Sequence, residues 1–112
     1  MIKANDFIKT GFSIEDANAL DDIINSLVKD DKSVIVDFSG ITIFTTLFFN
    51  NAFAKYIIQL GPNEYKKRFK LENLSELGQI TYKHSFDNAI NYYNLSKSQR
   101  KEQERILKNF DT

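Results

Sequence analysis

Two adjacent threonines, Thr45 and Thr46, stand in "VIVDFSGITIFTTLFFNNAFAKYI" between a strand-like run and an apolar, aromatic-rich segment. Hydroxyls at the start of a helix have two uses. They cap it, by accepting a hydrogen bond from one of its unsatisfied amides. Or they accept a phosphoryl group, which the free amides and positive dipole of a helix N-terminus favour. Asp37 is a second candidate, because it ends an apolar strand, and α/β sheets build their sites at the carboxyl ends of strands. The "DFSG" around it (Asp37, Ser39, Gly40) also has turn chemistry of its own.

Elsewhere the chemistry thins out. His84 is the single histidine and has no partner at catalytic or metal-binding spacing, so it reads as structural or solvated. The basic alternation in "YKKRFKLEN" would suit phosphate or RNA, but without interleaved exposed aromatics it reads as a solvated face. No HExxH, CxxC, GxSxG or P-loop occurs. The glycines, Gly11, Gly40, Gly61 and Gly78, are too scattered to build a phosphate-cradling loop. No catalytic residue, metal site or cofactor is expected, and the protein reads as a non-enzyme.

Composition bounds the partners. With 112 residues, 42% of them hydrophobic, the chain is long enough for one core. Cysteine is absent, which excludes disulfides and thiolate chemistry. The opening "MIKANDFIKTGF" lacks the apolar run of a signal peptide, and no window approaches the ~18 residues of a membrane span. A cytoplasmic protein without a membrane partner is the expectation. Fifteen basic and fifteen acidic residues cancel overall, yet residues 1–40 carry a net −4 and residues 41–95 and 96–112 a net +2 each. An acidic front and basic tail favour a charged protein partner over nucleic acid.

The elements that must position Thr45 and Thr46 follow from periodicity. "IKANDFI" alternates loosely as a short first strand. Ser13 is placed to cap a helix with Glu15 and Asp16 in its first turn, and Ala17, Leu20, Ile23, Ile24 and Leu27 give it an apolar stripe. "SVIVDF" is apolar enough for a strand covered on both faces. Residues 46–60 read as a helix burying Phe49, Ala52, Phe53, Tyr56, Ile57 and Leu60, stopped by Gly61 and Pro62. "YKKRFKLEN" reads as an edge strand with Lys66, Arg68 and Lys70 on one side. A further helix takes its apolar contacts from Leu77, Ile80, Tyr82, Phe86, Ala89, Ile90 and Tyr93. The alternation of strand and helix predicts an α/β layer of about three or four mostly parallel or mixed strands with three or four helices. Residues 1–95 form the domain; residues 96–112, anchored only by Ile106, Leu107 and Phe110, are a polar helix or tail of it.

From residue 8 to about 93 the chain resembles the STAS domains of bacterial anti-sigma factor antagonists. It is closer still to their STAS-like relatives of unknown function. The shared features are an apolar strand ending in Asp37 and a small-residue turn, an apolar pair (Ile43, Phe44), hydroxyl or small residues at a helix start, and an amphipathic helix. The resemblance implies a small STAS-like α/β domain that works by partner switching. In the antagonists, an unmodified serine at this helix start permits binding to a histidine-kinase-like ATPase, and phosphorylation by that ATPase ends it. Here the family's phosphorylated serine falls on Leu47 and the glycine after it on Phe48; Thr45 takes the usual acidic position and Thr46 the hydroxyl position. Phosphorylation is therefore left to Thr46 or Thr45, against a simple helix cap as the reading these residues favour.

These features predict a protein-binding surface formed by Thr45, Thr46, Leu47 and Phe48, with an apolar centre at Leu47 and Phe48 and a rim of Asn50, Asn51 and Lys55. The expected partner is a histidine-kinase-like ATPase or a related regulator, with self-association into a homodimer left open. A phosphorylation-controlled switch or a small-ligand or nucleotide sensor, with Thr45 and Thr46 at the helix N-terminus, is the rival reading, and Asp37, Ser39 and Gly40 are the candidate turn or anion site.

Overall fold

The computed structural model describes residues 1–95; the expected helix or tail at 96–112 lies outside them. Helix α1 (Ile14–Lys29) starts where its cap is expected. Ser13 is extended and its hydroxyl accepts the Asp16 amide at 3.1 Å. Glu15 and Asp16 in the first turn and Lys29 in the last match the helix dipole. Ala17, Leu20, Ile24 and Val28 are buried, with Ile23 and Leu27 packed partly against them. Asp21, just off this stripe, accepts a hydrogen bond from the Tyr56 hydroxyl at 2.6 Å and pairs with Lys55. It ties α1 to the following helix and is not a purely solvated carboxylate.

Three parallel strands form the sheet in the order β1 (Ile2–Lys3), β2 (Val34–Asp37), β3 (Phe69–Glu72). The fold is thus a small α/β domain, as the alternation of elements predicts. Three details differ. The first strand is only two residues long, because the chain turns into a 3-10 helix at Ala4–Asp6. β2 is covered on one face only: Val34 and Val36 are buried, whereas Ile35 and Asp37 are half-buried. The register places Lys70 and Glu72 beside Ile35 and Asp37, so the open face is mostly charged and tolerates water. Finally, Tyr65–Arg68 are not strand. Gly61, at φ 88°, turns the chain, and Pro62 opens a helix, α4 (Pro62–Arg68), where a fixed φ and a missing amide donor suit the first position. Tyr65 turns into the core, and Arg68 bends back to donate to the carbonyls of Val28 and Lys32 at 3.0 and 3.3 Å. That guanidinium satisfies the end of α1 and does not line up with Lys66 and Lys70.

Residues 46–60 make one rod: α2 (Thr46–Phe49), a π-helical turn (Asn50–Ala54) and α3 (Lys55–Leu60). Its inward face is aromatic. Phe38 meets Phe44, Phe48 and Phe49 edge-on, and Phe53 reaches Phe69 on β3. Each fully buried Phe contributes about 1.5–3 kcal/mol relative to exposure.

Helix α5 (Glu76–Tyr93), capped by Ser75, lies along this rod and runs parallel to it. The register is fixed at three levels: a Cβ on Gly78 would lie 2.9 Å from Phe44, Ser85 donates to Asn50, and Tyr93 abuts Gly61. The buried stripe of α5 is Gly78, Thr81, Ser85 and Ala89. Small residues let the two helices approach closely, and this turns Leu77 and Ile80, expected as core contacts, outward instead. Tyr82, Phe86 and Ile90 do pack partly against the core. No helix among the described residues is long and apolar enough to cross a membrane.

Candidate functional site

The start of the 46–60 rod is built by two segments that lock together. Gly11 and Phe44 form an isolated parallel bridge: the Gly11 amide donates to the Ile43 carbonyl at 2.7 Å, and the Thr45 amide to the Gly11 carbonyl at 2.8 Å. Gly11 is required there, since a Cβ would lie 2.5 Å from the Phe44 ring. Thr45 is extended and caps the helix. Its hydroxyl accepts the Phe48 amide at 3.2 Å and donates to the Phe12 carbonyl at 2.8 Å. Both functions of the hydroxyl are occupied, so Thr45 is a joint. Thr46, the first residue of α2, is half-buried and its hydroxyl makes no hydrogen bond within residues 1–95.

The two residues expected as the apolar centre separate. Leu47 is 48% exposed, while Phe48 is fully buried against Phe38, Phe44 and Phe49. Phe48 therefore belongs to the core and cannot contact a partner. The helical turn rotates successive side chains by about 100°, which is enough to put one outside when the next is inside. The expected rim is present but internally tied. Asn51 donates to the Leu47 carbonyl at 2.8 Å, Asn50 accepts from Ser85 at 2.5 Å, and Lys55 pairs with Asp21 and lies over the Tyr56 ring. Asn50 and Lys55 remain solvent-exposed despite these bonds, and Asn51 is half-buried. The π-helical turn sits directly below Leu47, a local deviation often found where helices carry function.

Four large apolar residues outside the expected set are also exposed. Phe12, Ile43, Leu77 and Ile80 are each about half exposed. Phe12 and Ile43 belong to the segments that bond to Thr45 and Gly11, and Leu77 adjoins the Gly78 that touches Phe44. The parallel register of the two helices sets Leu47 level with the first turns of α5. Leu47 and these four side chains are thus exposed apolar residues on the helix start and on the segments that meet it or pack along it. The signal for Leu77 and Ile80 lay in the small residues at 78, 81, 85 and 89, whose helical spacing claims the inward face.

At the sheet edge, the Asp37 carboxylate closes its own turn. One oxygen accepts the Ser39 amide at 2.9 Å, the Ser39 hydroxyl at 2.7 Å and the Asn73 side-chain amide at 3.0 Å. These bonds, Asn73 first and then Ser39, hold the carboxyl down to about 2. The donors of Ser39 are thus spent on an anion already present, the Asp37 carboxylate. His84 is exposed on α5. Among the described residues, no three His, Cys, Asp or Glu side chains gather as metal ligands. Burial raises the hydroxyls of Tyr65 and Tyr82, which share a hydrogen bond; Tyr82 is pushed up to about 12. That pair is a satisfied interior contact.

The family model described as a STAS-like domain of unknown function (DUF4325) matches residues 20–79. The match takes in the core of α1, the sheet strands β2 and β3, the Thr45 turn and the rod that follows. No curated protein and no solved structure gives a significant match.

Proposed function

The chain belongs to the family of STAS-like domains of unknown function, and on that premise we propose that it is a non-enzymatic regulatory module that binds another protein through the outside of the Thr45 turn. The observation that carries this reading is Leu47, 48% exposed at the start of a helix whose next two side chains, Phe48 and Phe49, are buried. An apolar side chain held outward by a rigid cap, with Ile43, Leu77 and Ile80 on adjoining segments, supplies a desolvatable centre. Thr46, Asn50, Asn51 and Lys55 supply a polar rim.

The partner best suited is a histidine-kinase-like ATPase or a related regulator. This follows from the resemblance to anti-sigma factor antagonists, in which the same helix start meets such an ATPase. Regulation by partner switching, a bacterial cytoplasmic setting and the absence of a nucleic-acid partner belong to the same reading. The test is direct binding of the candidate ATPase to wild type and to Leu47→Asp. Affinity at least about tenfold weaker for the variant, equivalent to ~1.4 kcal/mol, supports the surface, and equal affinity removes it.

A second reading is favoured by Thr46 alone. Its hydroxyl is uncommitted within residues 1–95 and lies at the first position of the helix, while that of Thr45 is locked. Phosphorylation at Thr46 would set about two negative charges beside Leu47 and oppose apolar docking there. Incubation with the ATPase and ATP, read by intact mass, separates the two: a gain of one phosphate absent in Thr46→Val supports the switch.

A further inference from the structure

We propose that β3 is a docking edge for a second copy of this chain, and that two protomers join there, strand against antiparallel strand, about a two-fold axis at Leu71. This edge is separate from the Thr45 turn, and the inference does not draw on the reading of that turn.

β3 lies at the outside of the sheet order β1, β2, β3, so among the described residues one of its sides has no strand beside it. Its hydrogen-bonding phase follows from the other side. The Phe38 amide donates to the Glu72 carbonyl at 2.9 Å, with Leu71 and Glu72 in register with Val36 and Asp37. Backbone groups alternate in direction along a strand, so Lys70 and Glu72 spend theirs on β2 and Leu71 turns its amide and carbonyl outward. The Phe69 carbonyl and the Asn73 amide point the same way. Among the described residues, no hydrogen bond occupies these outward groups. A two-fold axis at Leu71 satisfies all of them: Leu71 exchanges both bonds with the partner's Leu71, and each Asn73 amide donates to the partner's Phe69 carbonyl.

The side chains select that register. Lys70 and Glu72 stand together on the open face, 3.3 Å apart, with the Lys70 side chain 69% exposed. A lysine on an edge ordinarily deters pairing. About Leu71, however, each Lys70 lies opposite the partner's Glu72, and opposite charges directly across stabilise an antiparallel pair. Moving the axis to Lys70 sets it against the partner's Lys70, and moving it to Glu72 sets two carboxylates together; both repel. Leu71 adds an apolar reason. It packs against the core side of the sheet but is only half-buried, whereas Phe69 on the same side is 7% exposed. Across the axis the two leucines cover each other, with Cα atoms ~5.5 Å apart. The opposite edge, β1, is two residues long and offers little to pair with, so the sheet joins at β3 and closes as a dimer.

The test is sedimentation equilibrium of the full chain over a concentration series, with amide hydrogen exchange followed at its two ends. Wild type is expected to show a monomer–dimer equilibrium. Lys70→Glu and Glu72→Lys should each weaken it at least about tenfold, and Lys70→Glu/Glu72→Lys should restore it to within about threefold of wild type. Both changes lie on the open face, and circular dichroism checks that the variants fold. The Leu71 and Asn73 amides should exchange more slowly as the dimer forms, while those of Lys70 and Glu72, already bonded to β2, change less. Wild type that stays monomeric at about 1 mM overturns the proposal, as does a dimer that either single reversal leaves intact or that the double reversal fails to restore. Protection of Leu71 that is equal at both concentrations overturns it too, because the edge would then be covered from within one chain.

Discussion

Leu47 and Phe48 are neighbours in the chain and opposites in the fold. The Thr45 cap fixes the first turn of the helix so that Phe48 enters a cluster of Phe38, Phe44 and Phe49, while Leu47 stands outside it. The two adjacent residues thereby differ in environment: Phe48 packs the core and Leu47 is exposed. Leu47→Asp is expected to alter the unfolding free energy by no more than about 0.5 kcal/mol, as exposed substitutions do. Phe48→Ala is expected to cost about 3–5 kcal/mol. Urea denaturation measures both, and comparable losses would show that Leu47 is part of the core.

Thr45 and Thr46 should differ in the same assay. Thr45→Val removes a helix cap and the bond to the Phe12 carbonyl, at an expected cost of about 1–2 kcal/mol. Thr46→Val removes no hydrogen bond within residues 1–95 and should stay within about 0.5 kcal/mol of wild type. A larger loss at Thr46 than at Thr45 would reverse the roles given to the two hydroxyls.

Helix α5 approaches the rod through Gly78, where a Cβ would lie 2.9 Å from the Phe44 ring and 3.1 Å from Leu74. Gly78→Ala improves helix propensity yet crowds that contact, and overpacking of this kind costs about 1–3 kcal/mol. A net loss of stability is expected. A gain would mean that Phe44 can move aside and that the helix pair is looser than its small-residue face indicates.

Asp37 gives a pH dependence of defined sign. Its carboxyl is held down to about 2, chiefly by Asn73 and then by Ser39. A depressed carboxyl contributes stability that is present above its ordinary pKa of ~4. That contribution fades as pH falls from there through about 2. NMR titration of the carboxyl carbon should therefore find Asp37 ionised at pH 3, and Asn73→Ala should move its midpoint upward. A wild-type midpoint near that of an ordinary carboxylate would contradict the turn geometry.

Much of this architecture could be read from residue order. Ser13, with two acidic residues behind it, located α1, and the apolar spacing of Phe49, Phe53, Tyr56 and Ile57 located the rod. The chain failed to announce itself where tertiary packing outweighed local pattern. Tyr65–Arg68 alternate like a strand, yet Gly61 and Pro62 restart a helix there, and Arg68 is drawn to the end of α1. In α5, apolar residues suggested Leu77 and Ile80 for the core, but the close helix pair selected small residues instead. The site was legible in part: the Thr45–Leu47 turn is placed as expected, whereas the burial of Phe48 depends on aromatic partners 4 and 10 residues upstream, Phe44 and Phe38. The contribution of Phe12 depends on a bridge across 33 residues that no local pattern encodes.

The central claim is that Leu47 marks a protein-binding surface, and the most direct measurement is titration calorimetry of the purified full chain against a histidine-kinase-like ATPase from the same genome. Wild type and Leu47→Asp are compared at equal fold content by circular dichroism. The account predicts saturable binding by wild type and at least about tenfold weaker binding by Leu47→Asp, a difference of ~1.4 kcal/mol. Binding of equal strength by both proteins would contradict it.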